Sequence, residues 1–403
     1  MIFLAVLLIS LQSLYFYSLG LPLYSVVGVL LLFGFAIGRA YVQIGCGWKV
    51  PRKLVIQVSA PFVLLFLSLF TFVLRGEAEF SRLAGFIVIS LLPISYALLS
   101  DKIDPVKIAS NLVLIHAFIF SVQFILYFGF GVDFDPVNLL SDVEQRGWGG
   151  SLNHQTLGKF RRLGGIYAEP GTYATYVAPL VAMLCAVKAK GFRYQVAIYT
   201  GLVTLSLTFS IFAWVFVVVI LGVMFLTSFR RVLLLAPAIP LIFSLAWPYI
   251  EYRFFDPTRN VDSGFSFREE ILISIYEYHA QTFTNFFFGT GLLTDKVPFE
   301  FVGAVNDVGL LAYALLTSGA LGLLTILVIV GSATWRHGFA GIALALILLL
   351  SKISIFAPMF WLILTMSAHA SYLPKASSVS FPAKKNERRR KKIKIGRLKL
   401  GEI

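Results

Sequence analysis

Long runs of apolar, uncharged residues recur along the chain, and short polar segments separate them. The run from Gln195 to Phe229 contains no charged residue, and several other runs approach twenty residues. A helix needs about 20 apolar residues to span a bilayer, whereas the strands of a membrane β-barrel alternate apolar and polar positions. Because no stretch of the chain alternates in that way, the pattern predicts an all-α, polytopic membrane protein.

Twelve membrane-spanning helices are predicted from this pattern. The uncharged stretch around Ser210 is too long for one helix, so a polar turn at Ser206–Ser210 is expected to divide it into two. The predicted spans cover residues 2–19, 21–38, 54–74, 83–100, 107–130, 170–187, 195–209, 211–228, 232–248, 305–331, 338–351 and 353–370.

The basic residues predict the orientation of these spans, since cytoplasmic loops carry an excess of Lys and Arg. With both termini in the cytoplasm, the short loops on the outer side hold only Arg75, Arg82 and Lys352. The remaining short loops, on the cytoplasmic side, hold a larger set of basic residues: Arg39, Lys49, Arg52, Lys53, Lys102, Lys107, Lys188, Lys190, Arg193, Arg230, Arg231 and Arg336.

Two long segments, 131–169 and 249–304, then fall on the outer side. Both are rich in aromatic residues and glycine, which favours ordered loops over disorder. Within the second segment, Ile271, Leu272, Ile275 and Tyr278 recur at helical spacing, which is typical of an amphipathic helix lying at the membrane surface. We therefore expect a transmembrane domain over residues 1–374 that includes both loops.

Composition agrees with lipid as the surrounding medium and excludes a soluble protein. Of 403 residues, 58% are hydrophobic and 13% are charged, against about 25% charged in a soluble domain. The net charge of +14 is concentrated in a basic tail, residues 375–403, which holds 11 of the 34 Lys and Arg residues. This distribution predicts a cytoplasmic tail that contacts anionic membrane lipids, and no nucleic-acid partner.

The cysteines and histidines indicate neither a disulfide nor a metal site. Cys46 and Cys185 are placed at different spans, and neither has the spacing of a metal ligand. No acidic cluster suits a divalent cation, so metal-independent chemistry without a cofactor is expected. His154 and His279 lie in the outer segments, where ordinary loop or interfacial histidines are more common than catalytic bases.

The stretch from Arg161 to Tyr173 carries the strongest candidate chemistry. Arg161 and Arg162 precede Glu169, which is expected at the N-cap of a membrane helix whose first residue is Pro170. A carboxylate at the membrane boundary is costly unless it is paired or functional. Two interpretations stay open: a structural Glu–Arg pair that seats the loop, and a site in which three glycines allow close approach to a ligand, namely Gly164, Gly165 and Gly171.

Two later stretches of the chain carry further candidate motifs. Arg268 precedes the turn Gly289–Gly291, and Asn306 and Asp307 precede the pair Gly319 and Gly322. Together with Arg162, Gly165, Glu169 and Pro170, this arrangement resembles the O-antigen polymerase and O-antigen ligase superfamily of bacterial polysaccharide assembly. The resemblance covers roughly residues 161–324, and its motifs are degenerate.

The resemblance implies a GT-C-like glycosyltransferase of the bacterial inner membrane that acts on undecaprenyl-diphosphate-linked oligosaccharides at the periplasmic face. Guanidinium groups match phosphate oxygens, so Arg162 and Arg268 are expected to bind the diphosphate leaving group. Glu169 is the candidate base, with Asp307 or Glu270 as alternatives. The remaining expected substrate contacts are Arg161, Gly165, Tyr173, Asn306 and Asp307. A chain-length regulator and a flippase are the partners that the resemblance implies.

Three functions are weighed, and polymerisation of lipid-linked repeat units is favoured. Ligases of this superfamily place a histidine just before the Asn that matches Asn306, whereas this chain has Gly303, Ala304 and Val305 there. Transfer of finished polymer to lipid A-core is therefore the second alternative. A lipid-linked oligosaccharide transporter is the third, disfavoured because the predicted spans are nearly free of charge and no internal repeat is evident.

Overall fold

The structure, a computed structural model, describes residues 1–15, 22–42, 51–76, 78–142, 145, 162–227, 240, 243–244, 247, 263–294 and 308–372. Over these residues the chain is helical and contains no strand. The compact body ends at Ser371, and the basic tail 375–403 lies outside the described residues.

Fourteen α-helices form the described part of the body. They are α1 Ile2–Ser10, α2 Leu23–Val42, α3 Val55–Arg75, α4 Phe80–Leu99, α5 Pro105–Phe124, α6 Pro136–Leu140, α7 Pro170–Ala186, α8 Phe192–Leu207, α9 Ile211–Thr227, α10 Ser263–Gln281, α11 Phe283–Phe288, α12 Leu310–Thr334, α13 Phe339–Leu350 and α14 Pro358–Ala370. A π-helical turn, Ile125–Gly129, extends α5.

Five of these helices are long and apolar enough to cross a membrane, which indicates a membrane protein. They are α2, α3, α4, α5 with its π-helical turn, and α12 with the 3₁₀ turn that follows it. Two shorter apolar helices, α9 and α13, accompany them. Eleven of the twelve predicted spans contain a helix, although α1 covers only residues 2–10 of the predicted span 2–19, and most of the remaining range, 232–248, lies outside the described residues. The number of spans stays a prediction.

The predicted break near Ser210 is present. Helix α8 ends at Leu207, and α9 begins at Ile211. Phe209 has a φ of 53°, a left-handed conformation that is uncommon for a residue other than glycine. Ser206 accepts a hydrogen bond at its carbonyl oxygen from the Trp214 indole N–H, at 2.9 Å. The polar turn therefore divides the uncharged stretch into two helices, as the pattern predicts.

Contacts between connecting segments define two ends of the helix bundle. At one end, which we call the Glu169 end, the segments before α7, α9, α12 and α14 lie close together; for example, the Leu310 N–H donates to the Ser351 carbonyl at 2.9 Å. At the opposite end, the Arg39 end, Arg39 at the end of α2 pairs with Asp101 after α4. Helices α2 and α4 thus end at the Arg39 end, whereas α7, α9, α12 and α14 begin at the Glu169 end.

Helices α7 and α14 form the centre of the bundle. All thirteen residues of α14 are buried, and so are fifteen of the seventeen residues of α7. Each helix begins with a proline, Pro170 and Pro358, at the position where the missing N–H costs no hydrogen bond. The segments that lead into these two central helices carry the charged residues of the candidate site.

The segment predicted as an amphipathic helix is helical, as α10, although its buried face is narrower than expected. Its place at the membrane surface stays a prediction. Ile271, Ile275 and Tyr278 are buried, but Leu272 is 49% exposed. The spacing of the three buried residues follows one face of an α-helix, and Leu272 lies outside that face. Leu272 is therefore the one member of the predicted apolar set that α10 does not bury.

A break in α12 fastens α11 to the bundle. Gly319 has a φ of 62° and interrupts the helix. The carbonyl oxygens of Leu316 and Thr317 accept hydrogen bonds from the Thr290 and Gly291 N–H groups, each at 2.8 Å. Backbone groups within a membrane must find protein partners, so the turn after α11 completes the hydrogen bonding of the broken helix.

Candidate functional site

The segment before α7 is a buried turn held by two glutamines. Gln123 accepts a hydrogen bond from the Gly165 N–H at 2.9 Å, and Gln145 donates to the Gly165 and Tyr167 carbonyls at 3.0 and 2.9 Å. Gly165 has a φ of 62°, which favours glycine. This turn fixes the backbone that leads to Glu169.

Two of the glycines expected to admit a ligand have a structural explanation within the protein. A Cβ atom on Gly164 would lie 2.7 Å from the Tyr167 carbonyl oxygen, and Gly165 has a positive φ. Gly171 differs, because a Cβ atom there would come within 3.9 Å of both Ser210 and Lys352. Of the three glycines, Gly171 is therefore the one that borders the charged site.

Tyr167 and Tyr173 connect this turn and the start of α7 to neighbouring helices. The Tyr167 hydroxyl lies 3.3 Å from His116 Nε2, and burial raises the pKa of Tyr167 well above its ordinary value, so the phenol stays neutral. Tyr173 is fully buried and donates to Thr204 Oγ1 at 2.7 Å. Tyr173, an expected substrate contact, therefore lies in the core beneath the site, where it joins α7 to α8.

Glu169 occupies the predicted N-cap of α7, but its side chain makes no capping hydrogen bond. Its Oε2 atom instead lies 4.0 Å from Nζ of Lys352, in the segment between α13 and α14. The two side chains are 25% and 15% exposed, respectively. A lysine from a distant part of the sequence thus lies beside Glu169. Arg161 lies outside the described residues, so the predicted Glu–Arg pair stays a prediction.

Arg268 reaches the same place from the start of α10. Its guanidinium carbon lies 4.8 Å from the centre of the Phe212 ring, and Lys352 Nζ lies 5.8 Å from the centre of that ring. Phe212 belongs to the first turn of α9, directly after the break at Ser210. A cation over an aromatic face is attracted by the negative charge density of the ring. One ring therefore gathers two cations beside one carboxylate.

The remaining predicted site residues stand as follows. Arg162 is half-buried at the start of the described segment before α7, and Glu270 is exposed on α10. Three others lie outside the described residues: Arg161, Asn306 and Asp307. Among the residues that the structure describes, no group of three His, Cys, Asp or Glu side chains is arranged to hold a metal ion.

Sequence reasoning missed Lys352 and Phe212 as members of the site. Lys352 is a single charge between two apolar runs, and it departs from the predicted distribution of basic residues. That departure is the available signal, because a half-buried cation at a membrane boundary needs a specific partner. Phe212 lies among many apolar residues and carries no signal of its own.

Gly289 of the second motif and Gly319 of the third lie where the segments of the two motifs meet, and not at the charged site. A Cβ atom on Gly319 would collide with the backbone at Phe287 and Phe288, and one on Gly289 would collide with the Leu316 carbonyl oxygen. Both residues have positive φ, 62° and 67°. These glycines therefore permit close contact between two backbones, which is a structural role.

The arrangement as a whole is suited to holding an anion at the Glu169 end. Two cations flank one ring, one carboxylate lies beside them, and that carboxylate belongs to the N-cap residue at the positive end of the central helix α7. In comparisons with models of known protein families and with curated proteins, nothing matches this chain.

Proposed function

We propose that this chain is a membrane glycosyltransferase that joins undecaprenyl-diphosphate-linked oligosaccharide repeat units into O-antigen or a related surface polysaccharide. The proposal includes the bacterial inner membrane as location, twelve spans, two cytoplasmic termini and a site at the periplasmic face. The observation that carries it is the convergence of Arg268 and Lys352 on the Phe212 ring, beside Glu169.

Electrostatics favours an anionic ligand at this position. Two like charges near one ring repel each other, and an anion placed between them would offset that repulsion. The side chains of Lys352 and Glu169 are mostly shielded from water, which strengthens these interactions relative to bulk solvent. A diphosphate placed between the two cations would balance their charge, and the guanidinium of Arg268 can bind two of its oxygens at once.

The proposed reaction transfers the nascent glycan from its lipid carrier to the incoming lipid-linked repeat unit. A hydroxyl oxygen of the acceptor sugar attacks the anomeric carbon of the donor, and the bond from that carbon to the diphosphate oxygen breaks. The electron pair leaves with the diphosphate, where Arg268, Lys352 and Arg162 stabilise the added negative charge. The hydroxyl proton passes to the carboxylate of Glu169.

The test is a gel of surface polysaccharide from a deletion strain that is complemented with wild type or with single variants. We expect that deletion collapses the ladder to one repeat unit on its core, that wild type restores the ladder, and that Arg268→Ala and Arg162→Ala do not. Arg336→Ala is the matched control, because Arg336 is exposed at the Arg39 end. Equal membrane levels of all variants must accompany the gel.

Other outcomes identify the alternatives. Bare core with polymer accumulating on its lipid carrier would make the protein a ligase, and accumulation of single lipid-linked units on the cytoplasmic side would make it a transporter. Full activity of both arginine variants would remove the diphosphate-binding assignment. Loss of polymerisation in purified protein on addition of a strong chelator would overturn the prediction of metal-independent chemistry.

A further inference from the structure

His116 is an ionisable residue inside the bundle that the proposed reaction does not use. It lies near the middle of α5, in a stretch that is long and apolar enough to span a membrane, and its side chain is 1% exposed. An ionisable side chain at such a depth is costly, and an apolar residue would serve packing better. The presence of His116 therefore calls for a specific role.

The Nε2 atom of His116 connects three parts of the chain. Nε2 lies 3.1 Å from Ser10 Oγ, at the last residue of α1, and 3.3 Å from the Tyr167 hydroxyl oxygen, in the turn before α7. Ser10 and Tyr167 are both fully buried. The rings of His116 and Tyr167 also pack together, with their centres 5.3 Å apart. The histidine thus links α1 and α5 to the turn that leads into Glu169.

The directions of these hydrogen bonds identify the tautomer of His116. Ser10 Oγ donates its proton to the Leu7 carbonyl at 2.7 Å, so it can only accept from the imidazole. Nε2 therefore carries the proton and donates it towards Ser10 and Tyr167. The Tyr167 hydroxyl in turn donates to the Ser10 carbonyl at 3.4 Å. The three side chains form one connected network.

The second ring nitrogen of His116 takes no part in this network. Nδ1 is buried and has no hydrogen-bond partner in the part of the chain that the structure describes. Without a proton Nδ1 is an acceptor that lacks a donor, whereas with a proton it would be a buried donor that lacks an acceptor. His116 therefore offers one donor, and that donor is used to hold Ser10 and Tyr167.

A second buried tyrosine–histidine pair lies at the opposite end of the bundle. The Tyr96 hydroxyl lies 3.1 Å from His369 Nδ1, and both side chains are buried. Tyr96 is in the last turn of α4, and His369 is near the end of α14, so this pair belongs to the Arg39 end. It contains the same two residue types as the pair of His116 and Tyr167, and it is therefore the matched control for that pair.

We propose that His116 is a positioning residue, which holds the Glu169 carboxylate in place through Tyr167. This inference rests on the proposed function, because that function makes Glu169 the proton acceptor. The two glutamines of the turn hold its backbone, and His116 adds a hold on the Tyr167 side chain, two residues before Glu169. Proton transfer needs the carboxylate within hydrogen-bond reach of the acceptor hydroxyl. A displaced turn should therefore lower kcat and leave substrate binding nearly unchanged.

The first test measures the position of Glu169 without any reaction. A water-soluble carbodiimide joins a carboxylate to an amine that lies beside it, and Glu169 Oε2 lies 4.0 Å from Lys352 Nζ. Peptide mass spectrometry of the full chain in detergent should find this cross-link in wild type. Its yield should be about threefold lower, or more, in His116→Leu and in Tyr167→Phe. Tyr167→Phe removes a single oxygen atom, so it tests the network even if His116→Leu does not fold.

Rescue and matched controls separate positioning from general damage. His116→Gln should restore the yield of the cross-link, because the amide nitrogen of glutamine can donate from the place of Nε2. Tyr96→Phe and His369→Leu should keep the yield of wild type. An equal loss of cross-link in these two controls would show a general effect of removing a buried hydrogen bond, and would overturn the inference.

Steady-state kinetics of the purified protein tests the consequence for the reaction. In Tyr167→Phe and in His116→Leu kcat should fall about tenfold, while the KM for each lipid-linked substrate stays within about twofold of wild type. In a Glu169→Gln background the same two substitutions should have no further effect, because no proton acceptor is left to position. A further fall of the residual rate in that background would make the role structural and overturn the inference.

The inference and the proposed function fail in different ways. A wild-type cross-link yield and a wild-type kcat in both Tyr167→Phe and His116→Leu would remove the positioning role and leave the proposed function standing. Full activity of Glu169→Gln would instead remove the proposed base. The cross-link would then still show whether His116 fixes the position of Glu169, since that measurement needs no polymerisation.

Discussion

The two ends of the helix bundle use basic residues differently. At the Arg39 end, Arg39 itself is half-buried, and the other described cations are exposed. The exposed cations are Arg52, Lys102, Lys107, Lys188, Lys190, Arg193 and Arg336. At the Glu169 end every described cation is half-buried: Arg75, Arg82, Arg162, Arg268 and Lys352. Four of these five lie against an aromatic ring, namely Arg75, Arg82, Arg268 and Lys352.

This difference separates two roles of a positive charge in a membrane protein. Exposed cations act through their number, because the excess of Lys and Arg in the loops sets the orientation of the membrane spans. No particular side-chain geometry is needed for this. Half-buried cations have lost part of their hydration, and specific partners must compensate for that loss. The effect of substituting a cation at the Glu169 end should therefore depend on the shape of the new side chain as well as its charge. At the Arg39 end, the effect should depend on the charge alone.

The largest effect is expected from Gly319→Ala, since it removes the junction that holds α11 against α12. The added Cβ would collide with the backbone at Phe287, and the φ of 62° is unfavourable for alanine. We expect a loss of about 3 kcal/mol or more of stability, seen as loss of a monodisperse peak in size-exclusion chromatography. Gly331→Ala is the control in the same helix, because a Cβ there meets open space. Equal behaviour of both variants would refute the structural role of the junction.

Arg268→Lys tests geometry against charge at the Glu169 end. The substitution keeps the positive charge but removes the planar fork that binds two oxygens, so polymerisation by purified protein should fall about 100-fold. Arg336→Lys, the same change at the Arg39 end, should leave the rate unchanged. If Arg268→Lys retains the wild-type rate, charge alone suffices and the contrast between the two ends is wrong.

Much of the fold follows from the sequence, because the apolar runs and the polar turn at Ser210 are local patterns. The N-cap position of Glu169 is equally local, since Pro170 marks the first turn of α7. The pairing of Glu169 with Lys352 is not local. It depends on α7 packing against α13, which ends just before Lys352, and no spacing in the chain encodes that neighbourhood. The narrower buried face of α10 is likewise not a local property, because the neighbouring helices determine which residues of α10 are buried.

A smaller effect is expected from the Glu169 and Lys352 pair, measured as a double-mutant cycle. Lys352→Gln should lower the polymerisation rate about tenfold through loss of a charged contact to the diphosphate. Glu169→Gln should lower it further, because the proton acceptor is lost. Since the two side chains act together, the double variant should be no slower than Glu169→Gln alone. Strictly additive losses in free energy would show that the pair does not act as a unit.

The smallest effect is a difference between the two ends in how stability depends on pH. Burial lowers the pKa of His279, whose Nδ1–H donates to the Asn285 carbonyl at 2.7 Å. The unfolded chain then binds more protons than the folded chain as pH falls below about 6.5, so stability present above that pH is lost on acidification. At the Arg39 end, the neighbouring guanidinium lowers the pKa of Asp101, so the stability from that pair is present above about pH 3.9 and is lost only as pH falls below that value.

Thermal unfolding between pH 7.5 and 5 isolates the histidine, since the Asp101 carboxylate stays charged throughout that range. His279→Gln keeps a donor for the Asn285 carbonyl but does not titrate, so its midpoint should fall by about 1–2 °C less than that of wild type. Asp101→Asn should leave the pH dependence of wild type intact over the same interval. A wild-type midpoint that rises on acidification, or an identical slope in His279→Gln, would show that the neutral form of His279 contributes nothing to holding α10 and α11 at the Glu169 end.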